Sequence, residues 1–393
     1  MCIVCGFSTG PAVIQFFMAR TARGNKDADL NAGAVPSEAL KAGFPGISLP
    51  VGPPYPPMEA KPVSAIPSAP GWLYEPKWDG FRCLAFRSGE EVILQSKAGQ
   101  PLGRYFPELL EALRRLPSRR FVLDGEIIIR GEGGLDFDAL LQRIHPAASR
   151  IRKLSQATPA SYLVFDLLVN EKGRPLTGEP LSARRMALQE FAGRNFAGSK
   201  RMHLSPATTR LEAAKSWIQH GAAQGLDGVV AKRLDREYDS GGRTAMVKIK
   251  RVRTADCVIG GFRWAQKGGE VGSLLLGLYN GRGQLDHIGF SSSFSKEARK
   301  KLKSVLKPFI GGPGFTGKAP GGPSRWTRDD RNTEWVPLQH KLVGEFRYDH
   351  FSGGRFRHGT KFLRWRPDKA PKQCAMDQVK PGRARDGLRE FGI

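Results

Sequence analysis

Hydrophobic and polar residues alternate in short runs through the middle of the chain, which is the pattern of half-buried strands. Branched and aromatic residues fill these runs, and turn-forming residues separate them. The predicted strands are Phe81–Phe86, Val92–Gln95, Phe121–Ile129, Tyr162–Val169 and Val229–Lys232. Apolar residues recur at helical spacing in Pro107–Leu116, Ser182–Phe191 and Leu211–Ala223. The mixture predicts an α+β fold of antiparallel sheets with helices rather than a regular βαβ repeat.

The pattern changes after Lys250, where strand-like runs follow at short intervals around one basic amphipathic helix, Ser295–Leu306. The predicted strands of this part are Cys257–Trp264, Ser273–Tyr279, Leu285–Phe290, Val343–Tyr348 and Phe356–Trp365. Several strands with a single helix predict a small β-barrel, for which an OB-fold is the obvious candidate. Gly311–Pro323 is rich in Gly and Pro, which predicts a mobile loop.

These patterns divide the chain into four segments. Residues 1–55 have no periodicity and are rich in Ala, Gly and Pro, so they are predicted to form a flexible N-terminal tail. Residues 56–250 are predicted to form the α+β domain and residues 251–370 the barrel domain. Residues 371–393 are predicted to be a basic C-terminal tail.

The chain is strongly basic, since 62 Lys and Arg residues against 37 Asp and Glu give a formal net charge of +25. This net charge argues against an ordinary metabolic enzyme of near-zero net charge. It indicates that the protein binds an anionic partner, of which nucleic acid is the commonest. An acidic membrane surface is the alternative, although no apolar run approaches the ~18 residues of a membrane helix. The five cysteines are mostly isolated, which indicates a reducing compartment. We therefore expect a cytoplasmic, nucleoid-associated protein.

The candidate chemistry begins in the segment Tyr74–Arg82, which reads YEPKWDGFR. Lys77 lies between Pro76 and an Asp-Gly pair just ahead of a predicted strand, where a small ligand can reach it. The segment resembles the KxDGxR signature of the covalent nucleotidyltransferases, which comprise DNA ligases, RNA ligases and mRNA capping enzymes.

Five further segments resemble the later motifs of that superfamily, and they occur in the same order along the chain. They are Leu123–Glu126 (LDGE), Tyr162–Leu168 (YLVFDLL), Gly225–Lys232 (GLDGVVAK), Val247–Lys250 (VKIK) and Arg364–Lys369 (RWRPDK). The set is most similar to the small bacterial ATP-dependent DNA ligases of the ligase C and ligase D type. The resemblance implies an adenylyltransferase domain with ATP-grasp-like antiparallel sheets, followed by a β-barrel OB-fold domain.

The resemblance also implies a role for each matching residue. Lys77 is expected to attack ATP, form a phosphoramide with AMP and expel pyrophosphate. Glu126 and Asp227 are expected around the ribose and the divalent metal ion, because carboxylate oxygens are the ligands that Mg²⁺ prefers. Phe165 is expected to stack on the purine, and Glu75 to accept a hydrogen bond from the adenine amino group.

The remaining predicted site residues are basic or belong to the last motif. Arg82 is expected to contact the ribose or a phosphate, and Lys97 the 5′-phosphate of DNA. The family usually has an arginine at the position of Lys97, and lysine lacks the planar fork that binds phosphate with two hydrogen bonds. The residues expected to orient the departing pyrophosphate are Arg366, Asp368 and Lys369.

A nucleophilic amine must be neutral, yet an ordinary lysine of pKa ~10.4 is neutral in only about one molecule in 2500 at pH 7. The resemblance implies that other cations lie around Lys77. These cations would lower the pKa of Lys77 and would also neutralise the charge of the α-phosphate. The cations are Arg82, Lys232, Lys248, Lys250 and a bound metal ion.

The sequence therefore predicts a DNA ligase that uses ATP and Mg²⁺ (or Mn²⁺) to seal nicked duplex DNA through a lysyl-AMP intermediate. We expect a monomer that works in DNA repair or end joining, with a Ku-like end-binding protein as a partner. One alternative is an RNA ligase or a capping-type enzyme that uses GTP. The other is a non-catalytic OB-containing DNA-binding protein, which would retain DNA but form no AMP adduct.

Overall fold

The computed structural model describes residues 44, 46–131, 134–221, 225–265, 269–321 and 334–379. Most of the predicted N-terminal tail and the end of the predicted C-terminal tail lie outside these residues. The described chain forms two compact units, and the second unit begins at Arg251.

The first unit contains both strands and helices. Its strands are β1 (Lys61–Pro62), β2 (Trp72–Lys77), β3 (Phe81–Ser88), β4 (Glu91–Ser96), β5 (Arg120–Gly131), β6 (Gly134–Leu135), β7 (Ala160–Val169), β8 (Met202–Leu204), β9 (Gly228–Arg233) and β10 (Met246–Lys250). Its helices are α1 (Pro107–Arg114), α2 (Phe137–Arg143), α3 (Ala148–Ala157), α4 (Leu181–Asn195) and α5 (Leu211–His220).

The strands of the first unit form two sheets. One has the order β1-β10-β9-β2, and the other has the order β4-β3-β5-β7-β8 with β6 paired to β5. All pairs are antiparallel except β1 with β10 and β7 with β8. A large apolar core covers the second sheet and includes Leu109 and Leu113 of α1 and Leu188 and Phe191 of α4. This arrangement confirms the predicted α+β class with mainly antiparallel sheets.

Two motif glycines stand where strands approach too closely for a side chain. A Cβ atom on Gly228, whose φ is +143°, would lie 2.0 Å from the carbonyl oxygen of Ile249. A Cβ atom on Gly80 would lie 2.3 Å from the carbonyl oxygen of Ile127. Glycine is therefore required at both positions for the strands beside Lys77 to pack.

The second unit is a barrel built on one antiparallel sheet. Its strands are β11 (Arg253–Trp264), β12 (Val271–Tyr279), β13 (Leu285–Ser291), β14 (Val336–Pro337), β15 (Val343–Tyr348), β16 (Phe351–Ser352), β17 (Arg355–Phe356) and β18 (Lys361–Trp365), and its helix is α6 (Lys296–Leu306). The strand order is β13-β12-β11-β15-β18, and a bridge between Ser291 and Thr360 joins the two ends. Five strands closed around an apolar core with one helix agree with the predicted OB-fold.

Three segments pack more closely than the sequence predicts. Residues 46–55, assigned to the flexible tail, contain the buried Val51, which joins a core with Phe86 and Leu168. Residues 371–379, assigned to the basic tail, contain the buried Cys374, whose carbonyl accepts a hydrogen bond from the Tyr279 amide.

The described part of the predicted mobile loop, residues 311–321, also contributes to a core. Phe315 is buried, and the amide of Gly314 donates to the carbonyl of Leu338. In all three segments a few apolar side chains and backbone hydrogen bonds order a sequence whose composition is typical of loops. No helix among the described residues is both long and apolar enough to cross a membrane.

Candidate active site

A cavity of about 150 Å³ is lined by residues from both sheets of the first unit. Eight of the predicted site residues line it, namely Glu75, Lys77, Arg82, Lys97, Glu126, Phe165, Lys232 and Lys248. Asp227 and Lys250 adjoin it through contacts with Lys77 and with each other. The first five sequence motifs therefore converge on one pocket.

Lys77 is the last residue of β2 and lies opposite Gly228 of β9. Its Nζ is 2.6 Å from Oδ2 of the buried Asp227, and Nζ of Lys250 is 3.6 Å from the same oxygen. The amide of Asp227 donates to the carbonyl of Lys77 at 2.9 Å, so the backbone holds the two residues side by side.

This pairing contradicts the prediction that neighbouring cations lower the pKa of Lys77. Burial lowers the pKa of Lys77, but the carboxylates of Asp227, Asp79 and Glu126, of which Asp227 has the largest effect, together raise it above its ordinary value. The prediction was wrong because it counted the cations of the motifs without the carboxylates that pair with them.

Three other cations of the pocket are paired in the same way. Nζ of Lys232 is 2.8 Å from Oε2 of Glu75, and both side chains are buried. Arg82 donates two hydrogen bonds of 2.5 Å to the buried carboxylate of Asp124. Nζ of Lys97 is 3.0 Å from Oε1 of Glu59, which also pairs with Arg243.

Lys248 differs from these cations, because it forms no ion pair with any described residue. Burial lowers the pKa of Lys248, and the positive charges of Lys77, Lys97 and Lys250 lower it further. The effect that the sequence predicts for Lys77 is therefore found at Lys248.

Phe165 reaches the pocket because of a β-bulge in β7. Asp124 pairs with Asp166 and Gly125 with Val164, so Phe165 has no opposite residue on β5. The Lys232 ammonium lies 4.3 Å from the centre of its ring, and the Arg82 guanidinium lies 4.5 Å from it. The predicted purine-stacking residue thus also holds two cations of the site.

Glu75 has one carboxylate oxygen that accepts no hydrogen bond from a described residue. Its Oε2 binds Lys232, whereas its buried Oε1 lies 3.9 Å from Nη1 of the buried Arg185, an ion pair without a hydrogen bond. Because a buried acceptor without a donor is costly, this oxygen is placed to bind a donor on a ligand in the pocket.

Glu126 and Asp227 are the two carboxylates predicted to hold a metal ion. Burial raises the pKa of Glu126 to about 7, although Arg82 and Lys77 oppose this effect. No group of three or more His, Cys, Asp or Glu side chains in the described ranges is arranged to hold a metal ion. Two carboxylates suit Mg²⁺, which is usually bound by one or two carboxylates together with substrate phosphates and water.

The residues of the last motif lie in the second unit. Nη1 of Arg366 is 2.8 Å from Asp256, and its Nη2 is 2.8 Å from Asp368. Nζ of Lys369 is 3.2 Å from Asp256. The hydrogen bond from Arg366 lowers the pKa of Asp368 to about 2. The predicted triad is therefore gathered around Asp256, a carboxylate that sequence reasoning missed.

Sequence reasoning also missed residues that line the pocket or hold its side chains in place. Tyr238 donates to Asp124 at 2.6 Å and so helps to fix the partner of Arg82. Asp124 lies inside the LDGE motif and its position beside Glu126 was a usable signal, whereas nothing in the sequence marks Tyr238 or Glu59. Val230 and Met246 supply apolar lining.

Comparison with known proteins gives two family matches. Residues 57–250 match the family described as "ATP dependent DNA ligase domain", and residues 267–369 match "ATP dependent DNA ligase C terminal region". DNA ligase C1 of Mycolicibacterium smegmatis is 44% identical over 343 residues, which cover 85% of this chain and 96% of that protein.

Two further similarities are more distant. The multifunctional non-homologous end joining protein LigD of Mycobacterium bovis is 32% identical over 312 residues, which cover 78% of this chain and 37% of LigD. The solved structure Pmar-Lig_PreS3 has a TM-score of 0.52 at 17% identity, covering 75% of this chain and 64% of that one, and supports a shared fold alone. With both ligase families matched and 44% identity over nearly the whole of a ligase C, the chain belongs to the ATP-dependent DNA ligases of the small bacterial ligase C and ligase D type.

Proposed function

We propose that the pocket of the first unit carries out the adenylylation step of this ATP-dependent DNA ligase on the amine of Lys77. The amine nitrogen attacks the α-phosphorus of ATP, a nitrogen–phosphorus bond forms, the bond to the bridging oxygen breaks, and pyrophosphate leaves. The Asp227 carboxylate, 2.6 Å from the amine, is the nearest acceptor for the proton that the amine must lose.

The observation that carries this proposal is the convergence of three different groups on one cavity. Lys77 supplies the nucleophile, the Phe165 ring supplies an aromatic surface for a purine, and Oε1 of Glu75, which accepts no hydrogen bond from a described residue, supplies an acceptor for the adenine amino group. The cations around them neutralise phosphate charge, and positioning with charge stabilisation accounts for most of the catalysis of phosphoryl transfer.

In the later steps, AMP moves from Lys77 to the 5′-phosphate of a nick, and the 3′-hydroxyl then attacks that phosphate and releases AMP. We assign contact with the 5′-phosphate to Lys97, whose exposed ammonium is held at the edge of the pocket by Glu59. We assign orientation of the departing pyrophosphate in the first step to Arg366, Asp368 and Lys369. Arg82 is assigned to the ribose side of the nucleotide.

Glu126 and Asp227 are the residues that would hold Mg²⁺, or Mn²⁺ in its place. The bound ion would supply charge neutralisation and a template for the phosphates.

The biological setting is inferred from the named relatives. Similarity to LigD, a non-homologous end joining protein, supports a role in DNA repair or end joining. In that setting the chain would act as a monomer at the nucleoid, with recruitment by a Ku-like end-binding protein.

The proposal is tested by incubating the protein with α-labelled ATP or GTP and Mg²⁺, and then adding nicked duplex DNA. We expect label from ATP only, and its release as AMP when the nick closes. Lys77→Ala should take up no label, whereas Lys215→Ala, which removes an exposed lysine paired only with Glu212, should behave as wild type. Label from GTP, sealing of RNA alone, or label on Lys77→Ala would overturn the proposal.

A further inference from the structure

Helix α6 of the second unit carries a row of lysines along one side. Lys300, Lys303 and Lys307 are spaced by three and four residues, which places them on one face of a helix. Lys307 follows the last helical residue but keeps helical backbone angles, so the row continues to it. We call these three residues the lysine stripe.

The helix is held firmly enough to fix the direction of the lysine stripe. Its N-terminus is capped by Ser295, whose hydroxyl accepts from the amide of Ala298. Leu302 and Leu306 are buried in the barrel core on another side of the helix. Because these contacts fix the rotation of the helix, the exposure of the stripe is a property of the folded unit.

The charges of the lysine stripe are not neutralised within the described structure. All three side chains are exposed, and none forms an ion pair with a described residue. Like charges three and four residues apart repel on a helix, so an anionic partner would relieve this repulsion. The Lys303 ammonium lies 5.7 Å from the ring centre of Trp264, which is 40% exposed beside it.

The chemistry of the stripe indicates which anion it suits. Along the helix axis, Lys300 and Lys303 are about 4.5 Å apart, and Lys303 and Lys307 about 6 Å apart. Such a row matches a linear polyanion better than a single small ion. The lysine ammonium is a compact charge on a flexible side chain and lacks the rigid geometry that recognises planar groups with two hydrogen bonds. It therefore suits sequence-independent contacts with phosphates.

We propose that the lysine stripe binds the phosphate backbone of duplex DNA in the region flanking the nick. This inference rests on the proposed function, whose substrate is nicked duplex DNA, and adds a second contact surface, because the stripe lies on the unit without Lys77 and shares no residue with the pocket or with the Arg366 triad. It would strengthen binding to any sequence, and its contribution would fall as salt concentration rises.

The test compares the full-length wild type with the variant Lys300→Gln/Lys303→Gln/Lys307→Gln. Binding to a nicked duplex with a dideoxy 3′ end, which cannot be sealed, is measured by fluorescence anisotropy between 50 and 200 mM KCl. Since each lost phosphate contact lowers the slope of log affinity against log salt by ~0.9, three contacts predict a loss of up to ~2.7. Labelling by ATP without DNA should be unchanged, which shows that the chemistry and the fold are intact.

Two matched variants make the result decisive. Lys172→Gln/Lys200→Gln/Lys215→Gln removes the same charge from scattered exposed positions and should lower the slope much less. Replacing the stripe with arginine should keep the wild-type slope. An unchanged slope in the stripe variant would overturn the proposal and leave the stripe to another partner, such as an acidic protein. An equal loss in the scattered variant would also overturn it, because overall charge would then explain the effect.

Discussion

Replacing Glu75 by Gln removes a buried carboxylate that pairs with Lys232 and lies 3.9 Å from Arg185. Nζ of Lys232 lies 2.8 Å from Oε2 of Glu75, and each side chain is only 3% exposed. The variant leaves the Lys232 ammonium buried without a countercharge. Loss of one partner of a buried ion pair costs about 3–5 kcal/mol of the free energy of unfolding.

The cost can be converted into a melting temperature. In a unit of this size 1 kcal/mol corresponds to roughly 2–4 °C, so Glu75→Gln should lower Tm by about 6–20 °C. Differential scanning calorimetry at pH 7.5 measures the shift. The double variant Glu75→Gln/Lys232→Met should recover most of it, because an apolar side chain then replaces the unpaired charge.

An exposed pair of the same chemistry provides the control. In helix α5, Nζ of Lys215 is 2.7 Å from Oε1 of Glu212, but the Glu212 side chain is 75% exposed. Because exposed pairs contribute roughly 0–1 kcal/mol, Glu212→Gln should change Tm by no more than a few degrees. The reasoning fails if Glu75→Gln and Glu212→Gln shift Tm equally, or if Lys232→Met does not rescue Glu75→Gln.

Three further outcomes are expected. Asp227→Asn removes the carboxylate that raises the pKa of Lys77, so a larger fraction of the Lys77 amine is neutral at pH 8. An acylating reagent should then label Lys77 faster relative to Lys215, as measured by peptide mass spectrometry. An unchanged ratio of the two labelling rates would contradict the pairing of Lys77 with Asp227. Phe165→Leu removes the aromatic ring, which should cost about 0.5–1.5 kcal/mol of stacking energy with the purine. The KM for ATP in the labelling reaction should therefore rise by roughly 2–12-fold. An unchanged KM would count against stacking of the purine on Phe165. Burial lowers the pKa of His287 to about 4. In the unfolded chain this histidine has a pKa of ~6.5, so it takes up a proton at a higher pH than in the folded chain. The free energy of unfolding should therefore fall by about 2 kcal/mol between pH 7.5 and 5. Urea unfolding measures this loss, and His287→Gln should reduce it.

Much of the fold could be predicted from local sequence patterns. The predicted strand Phe121–Ile129 lies within β5, and Tyr162–Val169 lies within β7, because both are dense in apolar and β-branched residues. Helix α3 was missed, since its ten residues contain six charged or polar side chains that mask the apolar spacing. Strand β2 was missed because its Pro76 and its motif residues resemble a loop.

The sequence predicted which residues form the candidate site, but not how their charges pair with one another. Ordered motifs identified which residues converge, because each of the first five motifs lies at a strand or a turn beside the same cavity. The ion pairs and hydrogen bonds between these side chains could not be predicted, since they depend on distances between residues far apart in the sequence. Glu59 and Lys97 are 38 positions apart, and Asp124 meets Tyr238 from 114 positions away.

The bulge at Phe165 means that the position of this ring depends on the number of residues in β7 as well as on their identity. Deleting the neighbouring Val164 would restore regular pairing with β5 and place Phe165 opposite Gly125, where Val164 lies buried in the apolar core. The edited strand would keep almost the same composition and the same hydrophobicity, yet the ring would no longer line the pocket. The length of β7 therefore helps to determine which side chains line the pocket, and an alignment that tolerates gaps in β7 would overlook it.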